Sequence, residues 1–344
     1  MPAEPARHAA RAVLRAALAG FVLSFGLPAA ACAETLAIAV TSRPLERFLP
    51  GSDRRVFGRL EFLGGIVFSS RDPLLGAISS IRLRKDGENF VAVLDTGHWL
   101  TGRITRNAEG RLNGLADLNI RSMIDDKGRR ENAKSRMDAE GLAIGRGELL
   151  VSYEFSHRID AYPDPGFMDA RPIRRLPFPF PKREMRNNRG LETIAVSPEN
   201  GPLGAVAVTV AERSLDADGN LLAAILDGPM AGAFAVRRND PWDATDGAFL
   251  PDGDLLLLER RFRLADGVGM RIRRIDGKTI RPGAVVDGEV LIDADLSHQI
   301  DNMEGLDVVS TPDGDTRIVI VSDDNHSILQ RNLMLEFRLL PAGK

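Results

Sequence analysis

The chain has little cysteine and no excess of one charge. Its 344 residues include a single cysteine, Cys32, and 45 basic residues stand against 48 acidic ones. A formal charge of -3 gives no field that would attract nucleic acid or an anionic membrane, so neither partner is expected. The sequence also has no G-x-S-x-G elbow, no P-loop and no H-E-x-x-H motif. Any chemistry must therefore come from residues that the fold brings together.

The first 33 residues have the composition of a secretory signal. Three arginines precede the apolar run 16–27, and small residues at 31 and 33 provide a cleavage site. The run is shorter than the ~20 residues that a membrane-spanning helix needs, so stable membrane insertion is not expected. A short anchor and lipidation of Cys32 are the alternatives. Cleavage after residue 33 predicts a periplasmic or secreted single domain, 34–344, without disulfides or a thiol nucleophile.

One pattern of strands and turns recurs along the predicted mature chain. An acid precedes a short apolar strand, a turn rich in Gly, Pro, Asp or Asn, a second aliphatic strand and another acid. The clear copies and one weaker copy occupy 139–157, 191–214, 245–262, 303–326 and 75–98.

The spacing of these copies is typical of a β-propeller. Successive copies lie roughly 50 to 65 residues apart, which suits blades of about four strands each. We therefore expect an all-β propeller of six blades, with five or seven left open. Strands at 34–40 and 59–70 would complete the blades, and 333–340 would close the ring. The proline-rich segment 160–190 is expected to form no regular structure.

Acids recur at the leading position of the clear copies. If these copies superpose, four carboxylates occupy one structural position: Glu140, Glu192, Asp246 and Glu304. The first strand of a blade lines the central channel, so these groups would converge and repel one another unless a cation neutralises them. Oxygen ligands favour a hard ion such as Ca²⁺. The alternative is that each acid accepts backbone hydrogen bonds in its own turn.

A second set of acids ends the second strand of each copy: Asp95, Glu154, Glu212, Glu259 and Asp323. In three copies a histidine follows three residues later: His98, His157 and His326. A carboxylate can orient an imidazole for proton transfer, which makes His98 and His157 candidates for contact with a substrate. A structural latch between blades is the alternative.

Four arginines lie close to these acids in the sequence: Arg189, Arg213, Arg260 and Arg261. They are candidates for binding the oxygens of a small anionic or ester substrate, and salt bridges between blades are the alternative. The segment "SDDNHS" concentrates further chemistry in the last copy. There we expect Asp323 or Asp324 to help hold the ion or orient water, and His326 to move a proton.

Several stretches resemble the phytase-like β-propeller family, described by an "esterase-like activity of phytase". They are "DAEGLAI" (138–144), "NNRGLETIAVS" (187–197), "DGAFLPDGDLLLLERRF" (246–262), "DNMEGLDVV" (301–309) and "VSDDNHSILQRNLMLEF" (321–337). The resemblance implies an exported propeller and metal-dependent hydrolysis of phosphate esters.

The chain is also distantly similar to propellers of the gluconolactonase and senescence-marker type. In those proteins an acid, an Asn and an Asp hold one divalent ion. That resemblance implies roles for Glu304 or Glu140, for Asn325 and for Asp246. Two residues depart from the repeated pattern, because Leu75 replaces an acid and Thr193 replaces the glycine that follows it.

The sequence therefore predicts an exported, metal-dependent hydrolase of phosphate esters or related esters. A lactonase or carboxyl-ester hydrolase on the same scaffold is one alternative. A non-enzymatic propeller that binds a ligand or a protein is the other, because a fold does not determine a function.

Overall fold

The protein is seen here as a computed structural model that describes residues 35–130, 134–180, 184–185, 190–265 and 267–341. The predicted signal segment and Arg189 lie outside these residues. Within them, no helix is long and apolar enough to cross a membrane.

Short aliphatic segments separated by turns form 24 strands in the described residues. The first eight are β1 (Leu36–Ala37), β2 (Thr41–Leu45), β3 (Val56–Phe57), β4 (Leu60–Ser69), β5 (Ile78–Leu83), β6 (Asn89–Leu94), β7 (His98–Arg106) and β8 (Leu112–Ser122). After the one-turn helix α1 (Lys134–Met137) come β9 (Ala139–Gly145), β10 (Glu148–Tyr153), β11 (Arg158–Pro163), β12 (Arg174–Leu176), β13 (Leu191–Val196), β14 (Ala207–Leu215), β15 (Leu221–Ile225) and β16 (Gly232–Val236). The last eight are β17 (Asp243–Phe249), β18 (Leu255–Arg263), β19 (Gly267–Ile275), β20 (Val285–Val286), β21 (Glu289–Asp295), β22 (Asn302–Ser310), β23 (Thr316–Asp323) and β24 (Asn332–Leu339).

These strands form five sheets, which are the five blades of a β-propeller. From the inner strand outwards, the strand orders are β5-β6-β7-β8-β1, β9-β10-β11-β12, β13-β14-β15-β16-β20, β17-β18-β19-β21 and β22-β23-β24-β4-β2, and β3 also pairs with β4 in the last sheet. The inner strands of blades 1 to 5 contact one another in sequence, and β22 returns to β5. The prediction of an all-β propeller is confirmed, and the blade number is five, one of the alternatives to six.

The chain termini explain the blade number. Strand β4 pairs antiparallel with β24, in a register that runs from Leu60 opposite Leu339 to Phe68 opposite Asn332. The segments 59–70 and 333–340 therefore belong to the same blade. This pairing joins the two ends of the chain and closes the ring.

The hydrophobic core is divided among the five interfaces between neighbouring blades. Each of five buried clusters contains side chains from two adjacent sheets. Between blades 1 and 2, Trp99 is fully buried and its ring meets that of Tyr162 edge to face at 5.1 Å. Burying a large apolar side chain contributes ~1.5–3 kcal/mol, so these interfaces hold the ring together without disulfides.

The proline-rich segment is more ordered than the sequence indicated. Strand β12 pairs with β11, and Leu176 lies opposite Ile159. The expectation of no regular structure was wrong here. Pro172 and Pro177 lie outside β12, so the three residues of the strand keep their N–H groups for strand pairing.

Candidate functional site

Each blade begins with a β-bulge in its inner strand. In blade 3, Leu191 lies opposite Ala211 and Thr193 lies opposite Val210, so Glu192 is the extra residue. The same shift of register occurs near the start of the other four inner strands. A bulge turns its extra side chain out of the regular alternation. By this register the bulged residues of blades 1 to 5 are Ser79, Glu140, Glu192, Thr245 and Glu304.

A second position lies beside the bulge, at the end of the second strand. In blade 3, Ala211 of the second strand pairs with Leu191, the residue just before the bulge. The second position is the next residue along the second strand, Glu212. In blades 1 to 5 this position holds Asp95, Glu154, Glu212, Arg260 and Asp323. The bulges supply three carboxylates and the second position supplies four, so these positions hold seven carboxylates and one arginine. We call these ten residues the acidic mouth.

Like charges face one another across the acidic mouth. Burial raises the pKa of Glu140, and repulsion from Asp138 and Glu154 raises it further. Burial also raises the pKa of Glu192, together with the charges of Glu140 and Glu212. These carboxylates come from different blades, so the bulges do bring them together.

The fifth blade contributes two more acids with raised pKa values. Burial raises the pKa of Glu304 to about 8, although the Arg260 guanidinium favours its charged form. Burial raises the pKa of Asp323 to about 7, against a backbone hydrogen bond from Asn325 that lowers it. Both groups therefore titrate close to neutral pH, where a carboxylate can exchange protons with a substrate.

Arg260 is the one cation at these ten positions. It donates through Nη1 to Asn302 Oδ1 at 2.8 Å and through Nη2 to Glu212 Oε1 at 3.3 Å. Its Nε lies 3.3 Å from Glu304 Oε1. Burial lowers the pKa of Arg260, but the charges of Glu304 and Glu212 outweigh burial and raise it. The guanidinium is thus held between blades 3 and 5.

Asp246 does not belong to the acidic mouth, and its predicted equivalence with the other three acids was wrong. The bulged residue of blade 4 is Thr245, whose hydroxyl donates to the Met303 carbonyl at 3.1 Å. Asp246 is the next residue, and a shift of one residue along a strand turns a side chain to another direction. The Asp246 carboxylate accepts hydrogen bonds from Arg82 and from Ser80 Oγ. The dipeptide Asp-Gly imitated the Glu-Gly of blades 2 and 5.

Glu259 is displaced from its predicted position for the same reason. It lies opposite Ala244, and Arg260 is the residue that follows. The Glu259 carboxylate is fully buried and accepts from Arg271 Nε at 2.6 Å and Arg273 Nε at 2.8 Å. Adjacent residues of a strand point to opposite faces, so Glu259 faces the sheet interface and Arg260 faces the mouth.

Arg82 fills the middle of the channel, and sequence reasoning missed it. The guanidinium donates bidentately to Asp246, with two N–O distances of 2.8 Å. It also donates to the carbonyls of Ile194, Gly247 and Leu306, which lie on the inner strands of blades 3, 4 and 5. The acidic mouth therefore has a closed floor. The available signal was an arginine in "ISSIRL", a short strand without any other charged residue.

Two of the three predicted histidines pack against glycines that precede the next inner strand. A Cβ on Gly190 would lie 2.8 Å from His157 Nδ1, and a Cβ on Gly76 would lie 2.9 Å from His326 Nδ1. Gly190 also donates its N–H to Glu154 Oε1 at 3.1 Å. This geometry favours the latch between blades for both residues.

His98 is the third histidine. It is buried, and its Nδ1 lies 3.0 Å from the Thr96 hydroxyl. Burial lowers the pKa of His98, although a hydrogen bond with Thr96 raises it. The imidazole therefore favours its neutral form.

In the "SDDNHS" segment, Asp323 belongs to the acidic mouth and the next three residues shape a turn. Asp323 Oδ1 accepts the Asn325 N–H at 2.7 Å. Asp324 accepts from the His326 N–H at 3.1 Å and from Asn332 Nδ2 at 2.7 Å. Asn325 is exposed and its amide donates to Gln330. The Asn325 side chain contacts Gln330, and only its backbone N–H contacts a carboxylate, so the ion-binding role implied by the distant resemblance has no support here.

The other two arginines that can be placed lie beside the acidic mouth. Arg213 donates to Asp243 Oδ1 at 2.7 Å. Arg261 stacks over Trp242 with its guanidinium carbon 5.2 Å from the ring centre. The salt-bridge alternative describes Arg213, and Arg260 alone of the predicted arginines in the described residues lies in the acidic mouth.

Two groups of three carboxylates are close enough to share an ion. In one, oxygens of Asp138, Glu140 and Glu154 lie within 4.8 Å of one another, and in the other the same holds for Glu154, Glu192 and Glu212. Glu154 belongs to both groups. Carboxylate oxygens are the donors that Ca²⁺ and other hard cations prefer. Asp138, which precedes β9, was not singled out from the sequence.

The chain matches one protein family and is distantly similar to solved structures, among them the following two. The Cps50 (Swd1) β-propeller domain of Myceliophteria thermophila is 12% identical, with a TM-score of 0.37, and the match covers 72% of this chain and 63% of that domain. An endo-arabinase from Bacteroides thetaiotaomicron is 11% identical, with a TM-score of 0.48, and the match covers 85% of this chain and all of that one. None of the curated proteins compared with the chain matches it.

The family match covers most of the propeller. Residues 73–326 match the family described as "Phytase-like: Esterase-like activity of phytase". The matched region runs from the turn before β5 to His326 and contains all ten residues of the acidic mouth. Because it spans more than half of the sequence, the chain belongs to the phytase-like family.

Proposed function

We propose that the protein is an exported, metal-dependent hydrolase of esters, with phosphate esters as the favoured substrates, and that the acidic mouth is its active centre. The observation that carries this proposal is the convergence of seven carboxylates and one arginine at the bulges of five blades. Stability alone does not require like charges to meet in this way. Export rests on the signal segment read from the sequence.

The residues present fit a hard divalent cation. Asp138, Glu140, Glu154, Glu192 and Glu212 offer only oxygen donors, in two groups that share Glu154. Burial raises the pKa values of Glu140 and Glu192, and repulsion from neighbouring carboxylates raises them further, which a positive charge would relieve. A divalent cation held by these carboxylates would polarise an ester oxygen and lower the pKa of a bound water.

Arg260 is the residue best placed to bind a substrate oxygen. Its guanidinium is fixed by Asn302 and by two glutamates, so little conformational freedom is lost when a substrate binds. The planar fork can donate to a phosphoryl oxygen or to the oxyanion of a carboxyl ester. Its position within the acidic mouth makes an anionic substrate possible despite the surrounding carboxylates.

Asp323 is the candidate for proton transfer. Its Oδ1 is occupied by the Asn325 N–H, which leaves Oδ2 as the atom that accepts a proton from water. A pKa of about 7 balances the basicity of the carboxylate against its population in the charged form. The buried Arg82–Asp246 pair fills the channel between the inner strands.

A substrate screen tests the proposal. The purified chain would be assayed with para-nitrophenyl phosphate, phytate, para-nitrophenyl acetate and an aliphatic lactone, each with calcium and with chelator. We expect chelator-sensitive turnover that is highest for a phosphate ester. Turnover of the lactone or the acetate alone would indicate a carboxyl-ester hydrolase instead. If none of the four compounds is turned over, the result would favour a propeller that binds a ligand without catalysis.

A further inference from the structure

A cavity lies on blade 2, next to His157. It has a volume of about 390 Å³, within the range of ~300–1,000 Å³ that small-molecule sites occupy. Its walls come from the β10–β11 turn and from the segment that begins in β12. None of the residues that line it is needed for the proposed hydrolysis.

The floor of this cavity is apolar. Leu176 and Phe180 are buried, and Phe178 is half-buried with its ring centre 5.4 Å from that of Phe180. These side chains also pack on the core between blades 2 and 3. The cavity is therefore built on a rigid base and offers aromatic surface to a ligand.

The rim of the cavity is cationic. Arg158 and Arg175 both donate to the single buried carboxylate of Asp160, at 2.8 Å and 2.6 Å from their Nε atoms. Arg175 also reaches the exposed Asp126 at 3.4 Å. Nearly half of the Arg175 side chain, 47%, stays exposed, so its guanidinium can meet a ligand from solvent. The chemistry of the cavity suits an apolar group attached to an anion.

One side chain separates the cavity from the acidic mouth. His157 lines the cavity. A Cβ on Gly190 would lie 2.8 Å from His157 Nδ1 and 3.3 Å from Glu154 Cγ, so the two side chains are close neighbours. Glu154 is the carboxylate shared by the two groups of candidate ion ligands. The cavity and the candidate ion ligands therefore lie on either side of His157.

We infer that this cavity binds the apolar part, aryl or branched alkyl, of the ester that the acidic mouth processes. The inference rests on the proposed function and narrows its substrates to aryl or alkyl phosphates and similar anionic esters. A fully polar polyphosphate such as an inositol phosphate has no group that would fill the space between Leu176, Phe178 and Phe180.

A binding experiment with two phosphonates tests this inference without turnover. Naphthylmethylphosphonate and methylphosphonate share a head group that is not hydrolysed, and their affinities for the full chain would be measured by calorimetry in calcium. We expect the naphthyl compound to bind at least roughly tenfold more tightly, because it buries an aromatic ring. Phe178→Ala should remove most of that advantage and Phe178→Leu should retain part of it. Phe262→Ala, at an exposed phenylalanine of blade 4, is the matched control.

The outcomes separate the cavity from the hydrolase. A naphthyl preference that depends on Phe178 supports the cavity even if no ester is turned over. Equal affinities for the two phosphonates would contradict binding in the cavity, as would a preference that Phe178→Ala and Phe262→Ala reduce equally. Chelator-sensitive turnover would still support the hydrolase in either case. A melting curve of each variant shows whether it remains folded.

Discussion

The middle of the channel and its acidic mouth both bury carboxylates, but they treat them in opposite ways. In the middle, Asp246 is saturated by Arg82, Ser80 and the Leu306 N–H. Burial raises the pKa of Asp246, but the Arg82 guanidinium and these hydrogen bonds lower it. At the mouth, burial and the charges of other carboxylates both raise the pKa values of Glu140 and Glu192. The two regions are separated by one residue of strand register. Charge in the first stabilises the ring, and charge in the second costs stability and is available for binding.

The largest effect on stability is expected in the middle of the channel. Arg82→Met should lower the free energy of unfolding by about 3–5 kcal/mol, because it leaves the buried Asp246 carboxylate without its partner. Urea denaturation of the variant measures this loss. The control is Arg47→Met, which removes an exposed ion pair with Asp53 and should cost less than about 1 kcal/mol. Similar values for the two variants would show that Arg82 does not hold the blades together.

At the mouth, the largest effect should fall on turnover. Arg260→Lys keeps the charge but loses the planar fork, so kcat should fall roughly a hundredfold, the usual cost of removing a fixed donor to an oxyanion. The neighbouring Arg261→Lys should change kcat less than about twofold, because Arg261 stacks on Trp242 outside the mouth. Steady-state kinetics on para-nitrophenyl phosphate makes the comparison. Equal losses in the two variants would place the substrate elsewhere.

Asp307 should make stability depend on pH in the middle of the channel. It lies near Arg82, but the bidentate hydrogen bonds of Arg82 go to Asp246. Burial raises the pKa of Asp307 from 3.8 to about 6, although Arg82 and the Leu83 N–H favour the charged form. The folded state thus binds this proton more tightly than the unfolded state. The resulting stabilisation is full below pH 3.8 and is lost as the pH rises through about 6.

Asp307→Asn should remove this dependence. Relative to the unaltered protein, the variant should gain on the order of 2 kcal/mol of stability between pH 4 and pH 7. Urea denaturation across that range measures the difference, with the exposed Asp313→Asn as control. A difference that stays constant with pH would remove Asp307 as the source.

The smallest effect is expected at the rim. His326→Ala removes an exposed imidazole that packs on Gly76, so it should lower stability by less than about 1 kcal/mol. Turnover per folded molecule should not change. A loss of kcat without a change in melting temperature would instead support the proton-transfer role that the sequence suggests for His326.

The repeated grammar of strands and turns was enough to predict an all-β propeller, because each blade is built from local hairpins. It did not fix the blade number. Strand Leu60–Ser69 resembles the start of a further blade, and only its pairing with Asn332–Leu339 shows that it completes the last one. A contact across most of the chain leaves no local signal.

The candidate site was predictable to within one residue of register. Glu140, Glu192 and Glu304 were found because each is the acid before the apolar run of its copy, and each is also the bulged residue of its inner strand. In blade 4 the prediction was wrong by one residue, because the local pattern shows which residues are acidic but not which one is bulged. Asp246 and Glu259 were chosen where Thr245 and Arg260 occupy the equivalent positions.

The central claim, that the acidic mouth takes a hard divalent cation, is tested most directly by the melting temperature of Glu192→Gln with and without calcium. In chelator the variant should melt at or above the temperature of the unaltered protein, since it loses repulsion from Glu140 and Glu212. Calcium at about a hundred times its Kd should stabilise the unaltered protein by ~2.7 kcal/mol, a rise of roughly 5 °C or more, and should have little effect on the variant. The exposed Glu199→Gln should respond to calcium as the unaltered protein does. No calcium response in the unaltered protein, or the same response in Glu192→Gln, would contradict the account.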